Sequence, residues 1–183
     1  MGRREYRFNQ EQVLSKAMIL LSSGRLSFMN LQQLLRRYNQ GNRDFSDDSF
    51  RATSLPRTFL SGADFSRCDF TGADLSYTNL SRATLTAAIL TGAELTSSDL
   101  SGCNLKGAHL IGANLKDASL VGASLAGADL RSANLEYADL SGANLKGTLL
   151  KGANLQGARL VGACVETYQL SEAICGDITC KIA

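Results

Sequence analysis

The sequence has no tryptophan, one proline (Pro56) and one histidine (His109). With a lone histidine and no Cys-x-x-Cys pair, there is no material for a zinc cluster or a histidine-based acid–base pair. A single proline excludes proline-rich linkers. Long apolar runs are also missing. The longest, Ala17-Met18-Ile19-Leu20-Leu21, falls far short of the ~20 residues that span a bilayer, so no membrane partner is expected. The start, Met1-Gly2-Arg3-Arg4, is charged and lacks a following apolar stretch, which argues against a secretory leader and makes the cytoplasm the expected location.

Charge is nearly balanced, at +2 over 183 residues. The excess is local: residues 1–44 carry +5, residues 45–165 carry −1 and residues 166–183 carry −2. A near-neutral main body without interleaved aromatics makes nucleic acid an unlikely partner. Phosphate loops, nucleophile–base pairs and metal clusters are also missing, so no enzyme activity, cofactor or metal is expected.

What is present is a period of five. From Phe45 a leucine or phenylalanine returns every fifth residue through Leu160, relaxing to Val165 and Leu170. Two places before each stands a small residue such as Ala63, Cys68 or Ala73. Residues five apart point to opposite faces of a strand, and about 140° apart on an α-helix. They share one interior only if the chain turns once per repeat. Glycine recurs two places after the leucine, as at Gly62, Gly102 and Gly122, where a turn needs φ > 0.

The number of sides follows from the exceptions. The glycine place holds Arg57, Tyr77, Ser97, Asp117 and Tyr137, which lie twenty apart, whereas Gly62, Gly102, Gly122, Gly142 and Gly162 form another twenty-residue set broken by Arg82. Twenty residues per coil means four sides, one of them expected to use a different turn. Asn114, Asn134 and Asn154 fall one per coil and suit an outward amide ladder. Phe65 should stack on Phe45, and Phe70 on Phe50.

The runs Gly72-Ala73-Asp74-Leu75-Ser76, Gly112-Ala113-Asn114-Leu115-Lys116 and Gly142-Ala143-Asn144-Leu145-Lys146 closely resemble pentapeptide-repeat proteins over about two thirds of the chain. The resemblance implies a β solenoid, a right-handed quadrilateral β-helix, here of about seven coils. It also suggests a bacterial, often cyanobacterial, source. Some members of that family mimic duplex DNA, bind gyrase and protect it from quinolones. That alternative needs a strongly acidic column and is disfavoured by the near-neutral one here.

Residues 1–43 follow a helical period instead. Asn9 and Gln12 suit a capping box, and Val13, Leu14, Ala17, Met18 and Leu21 mark one face. A second helix is expected from near Ser27, with Leu31, Leu34, Leu35 and Tyr38 on one stripe. Two short amphipathic helices need a partner surface, so residues 1–43 form a cap on the first coil or a docking segment, and 44–183 the solenoid, with a closing segment from about 166. The basic helices (Arg36, Arg37) and a strip on the second side (Ile89, His109, Ile111, Arg131, Leu149, Lys151) are the candidate interaction residues for a protein partner that the sequence does not identify. Arg131 and Lys151, one coil apart, repel weakly and so are not expected to serve stability. A monomer is favoured, with a dimer joined at the C-terminal ends as the alternative. Cys68 and Cys103 stand at inward places and read as core. Cys164, Cys175 and Cys180 lie near the end, where a redox pair is the alternative to core packing.

Overall fold

The computed structural model describes residues 29–175. The first expected helix, over Val13–Leu21, and Cys180 lie outside them. Within them the chain winds with a register of twenty. Parallel bridges join Asp44 to Asp64, Asp64 to Thr84 and so on to Cys164, forming the first side. The second column runs Ser49, Asp69, Ile89, His109, Asp129, Leu149; the third from Ser54 through Asn114 to Ile174; the fourth from Phe59 through Asp99 to Arg159. Four bridge columns per twenty residues give four sides.

Each coil is tied to the next by repeated backbone bonds. The amide of an inward leucine donates to the carbonyl nineteen residues on (Leu115 N to Asn134 O, 2.7 Å), and the corner amide two places later does the same (Asp117 N to Glu136 O, 2.9 Å). The inward residues Phe45 to Leu155 and the small residues two places before them fill the interior with almost no exposure. Phe65 stacks on Phe45 at 5.4 Å between ring centroids, and Phe70 on Phe50 at 4.8 Å, as the spacing predicts. The cysteines Cys68 and Cys103 are buried, and burial pushes both thiols up to about 12, which removes them from thiolate chemistry.

One expectation is corrected at the corners. The glycine-poor corner between sides three and four does not use a different turn: Arg57, Tyr77, Ser97, Asp117 and Tyr137 have φ of 54–58°, close to the 66–68° of Gly62, Gly102, Gly122, Gly142 and Gly162. Both corners also close the same bond from the fourth turn residue to the first, Thr78 N to Leu75 O and Ala123 N to Leu120 O. The ladder above and below dictates the corner, and the residue accepts it.

Two short helices flank the coils. The first, α1 (Leu31–Asn39), begins later than the expected Ser27, because Asn30 and Gln33 form a reciprocal capping box. Its Leu34 is fully buried, and Leu31, Leu35 and Tyr38 pack on the interior of the first coil. Tyr38 donates its hydroxyl to Ser61 O at 2.8 Å. The second, α2 (Thr167–Ser171), takes the chain out of the five-residue phase. Gln169 there is buried and donates its side-chain amide to Leu145 O and Thr148 O. Those bonds replace the next coil's contacts, and Leu170 accordingly sits only half-buried against the core.

Candidate functional site

Outward positions of the repeat are mostly polar for a structural reason. Where the residue before the leucine is Asp, Asn or Glu it commonly accepts the amide two places on, as Asp74 does from Ser76 (3.0 Å) and Asp139 from Ser141 (2.9 Å), which braces the turn. The Ser76 hydroxyl and amide hold the Asp74 carboxyl below its ordinary value, and Asp69 and Asp139 are also lowered. These aspartates are turn braces. On the third side, Asn134 donates to Asn114 Oδ1 (3.0 Å) and Asn154 to Asn134 Oδ1 (3.4 Å), the expected ladder, which begins at Glu94.

The second side departs from that pattern. Its bridge column places Ile89, His109, Asp129 and Leu149 in succession, and Ile111, Arg131 and Lys151 stand two residues after His109, Asp129 and Leu149. The six strip residues named from the sequence therefore share one face. Ile89 is 38% exposed and Leu149 is 49% exposed, while His109, Arg131 and Lys151 are exposed and Ile111 is half-buried.

Within this face one reading changes. Arg131 has a local partner that counting did not show: its guanidinium grips Asp129 on the same coil through Nε (2.9 Å) and Nη2 (2.7 Å). That grip, aided by His109, keeps the Asp129 carboxyl below the usual range. The electrostatic cost of Arg131 beside Lys151 is thereby offset. Lys151 makes no ion pair among the described residues.

Arg36 and Arg37 are not part of this face. Arg37 lies over the Phe45 ring at 5.1 Å, reaches Asp48 at 3.5 Å and donates to Asp44 O, so it fastens α1 to the first coil. Burial raises the Asp48 carboxyl. Arg36 is exposed on the outer side of α1. Among the described residues, no group of His, Cys, Asp and Glu is arranged to hold a metal ion, and no helix is long and apolar enough to cross a membrane.

Sequence reasoning passed over one feature: the corner aromatics Tyr77 (54% exposed) and Tyr137 (58% exposed). Arg57 lies over Tyr77 at 5.2 Å and Lys116 over Tyr137 at 5.5 Å. The signal was present, since both break the glycine rule on one corner.

Comparison with known families settles the architecture. Eight copies of the model described as pentapeptide repeats match the chain, at residues 44–81, 68–107, 78–117, 98–136, 108–147 and 128–166 among them. The chain belongs to the pentapeptide-repeat family. Its coils are therefore those of a right-handed β-helix-type solenoid. Among solved structures it is similar to Rfr23, a pentapeptide repeat protein from the cyanobacterium Cyanothece 51142 (30% identity, 78% of this chain and 97% of that one, TM-score 0.46). It is also similar to a pentapeptide repeat protein of the Arabidopsis thaliana thylakoid lumen (30% identity, 61% and 70%, TM-score 0.44). A third is HetL, involved in heterocyst differentiation regulation in the cyanobacterium Nostoc sp. strain PCC 7120 (28% identity, 81% and 98%, TM-score 0.27). A search of curated proteins found no match.

Proposed function

We propose that this pentapeptide-repeat column is a non-catalytic scaffold that binds a protein partner through its second side. The observation that carries this is the second-side column in which exposed Ile89, His109 and Leu149, interrupted by Asp129, take outward places that are mostly polar on the other sides, Phe59 and Ile174 being exceptions there. Ile89 and Leu149 brace nothing, and exposed apolar groups beside charges suit a protein interface. A leucine-filled interior offers no cleft in which a reacting group is desolvated, which supports a binding role over catalysis.

In this reading about seven coils form residues 44–183, the cytoplasm is the working compartment and the protein acts as a monomer. Residues 1–43 serve as the N-terminal cap, a role supported by the burial of Leu34 and the Arg37–Phe45 contact. Light scattering at micromolar concentration should report a monomer; a stable dimer would redirect attention to the C-terminal end.

Affinity capture from source-cell extract tests the reading. Full-length protein should retain its partner, as should a form lacking residues 1–40 that is still folded by circular dichroism. The Ile111→Ser/Leu149→Ser variant should lose it. Unchanged capture by that double variant would remove the second side from consideration. Added protein should leave gyrase supercoiling unaffected.

A further inference from the structure

The near-neutral charge of the column conceals a separation. Between Leu100 and Leu160 three ion pairs cancel six charges: Lys116 with Glu136 (2.9 Å), Arg131 with Asp129 (2.7 Å) and Arg159 with Asp139 (3.6 Å). What remains is Lys106, Lys146 and Lys151 on one hand and Asp117 on the other. These are not scattered. Lys106 and Lys146 are the last outward residues of side one before its corner with side two, two coils apart, and Lys151 is the last outward residue of side two. Asp117 occupies the diagonally opposite corner, between sides three and four.

The corner that Lys106 and Lys146 border is bare, and Lys151 stands at the far end of side two, beside Gly152. The bare corner consists of Gly107, Gly127 and Gly147, and a Cβ at the first two would meet nothing within 4 Å. Leu149 follows directly, with Lys146 before it and Lys151 after it in the same coil. His109, one exposed apolar Leu149 and the half-buried Ile111 complete the surface. Two carboxylates come near. Asp129 is held by Arg131, and among the described residues Glu166, one coil beyond Lys146, makes no ion pair with it.

We infer that this edge receives an acidic protein segment, whose carboxylates meet Lys106, Lys146 and Lys151 and whose apolar side chain covers Leu149. The inference rests on the second-side reading above and adds the chemistry of the partner. Unpaired ammoniums around an apolar centre favour a segment that offers both kinds of group. A duplex of nucleic acid offers phosphates but no apolar anchor, and three lysines make few of the contacts on which phosphate binding depends. The bare glycine corner lets an extended backbone approach both sides at once.

The test uses full-length protein labelled with nitrogen-15 and two short synthetic peptides, one with leucines flanked by glutamates and its counterpart with lysines for glutamates. The acidic peptide should shift amide signals of Lys106, His109, Ile111, Lys146, Leu149 and Lys151, and the basic peptide should not. Lys106→Glu/Lys146→Glu/Lys151→Glu should weaken the acidic peptide about tenfold, from three exposed pairs. Asp99→Lys/Asp117→Lys should leave its affinity unchanged. Binding of the basic peptide to the same residues would overturn the acidic assignment and keep the face. Shifts elsewhere would overturn both. No shift with either peptide up to about 1 mM would overturn the inference, and the face would then stand or fall by the capture experiment. Equal shifts from duplex DNA, or line broadening from self-association through Asp117, would replace the acidic segment by phosphate or by a second copy.

Discussion

Two corners of the column share a backbone and differ in most of what is attached to it. One is glycine at Gly62, Gly102, Gly122, Gly142 and Gly162, with Arg82 the exception; the other is Arg57, Tyr77, Ser97, Asp117 and Tyr137, with Gly157 the exception, at nearly the same φ. A side chain in the left-handed region costs on the order of 1 kcal/mol. The second corner bears that strain five times over without a change of turn. Local preference is therefore subordinate to the ladder, which ties the corner amides from Asp47 to Gly142 to the coil that follows.

Interior substitution supplies the scale against which that difference is measured. Leu115→Ala, fully buried between leucines one coil above and below, should lower stability by about 2–5 kcal/mol in chemical denaturation. A corner substitution with a comparable cost would break the contrast between a dictating interior and a compliant corner. The next effect separates two glycines. Gly157→Ala would place a Cβ against the Tyr137 ring, whereas Gly122→Ala meets open space. Both pay the positive φ, about 1 kcal/mol, and Gly157→Ala should cost roughly 1 kcal/mol more by the same measurement until Tyr137→Ala relieves it.

Smaller still, Ser97→Gly should relieve strain and stabilise by up to about 1 kcal/mol, partly cancelled by the freedom glycine adds to the unfolded chain. A destabilised Ser97→Gly would mean that the second corner is under a local constraint of its own. The smallest effect concerns acid. Asp74 braces the approach to Tyr77 and Asp139 the approach to Gly142, both with lowered carboxyl values. Such a group stabilises above its unfolded pKa of about 3.9, and the contribution is lost as pH falls through the lower folded value. Thermal melts should be level from neutrality to about pH 5 and decline below about pH 4. Burial raises Asp48, which works in the opposite sense and softens the decline. Asp74→Asn and Asp139→Asn should each remove less than about 0.5 kcal/mol of this dependence, in equal measure if both corners are braced alike.

Most of the architecture was legible because a five-residue period admits few solutions. The four sides, the phenylalanine stacks, the asparagine ladder and the shared face of Ile89, His109, Ile111 and Leu149 all follow from counting. What escaped depended on contacts that counting does not reach. Asn30 displaced the expected helix start because Gln33 completes its box. Arg131 turned out to be the clamp on Asp129. Arg37 looked like a surface cation but fastens α1 through Phe45 and Asp48. The different turn expected of the glycine-poor corner failed because glycine is only the easiest occupant of a left-handed corner.

Gln169 carries a wider consequence. By donating to Leu145 O and Thr148 O it closes side two using only the coil beneath it, before Ile174 adds the last bridge of side three. Through the described coils α1 likewise touches the first windings and not the middle. Neither end registers how many windings lie between. Removing one whole winding, such as residues 102–121, would leave both termini and every surviving bridge in register. Length in this molecule is thus a quantity that evolution, or an engineer, can adjust in steps of one winding, each step moving whatever is mounted on the sides by about 4.8 Å.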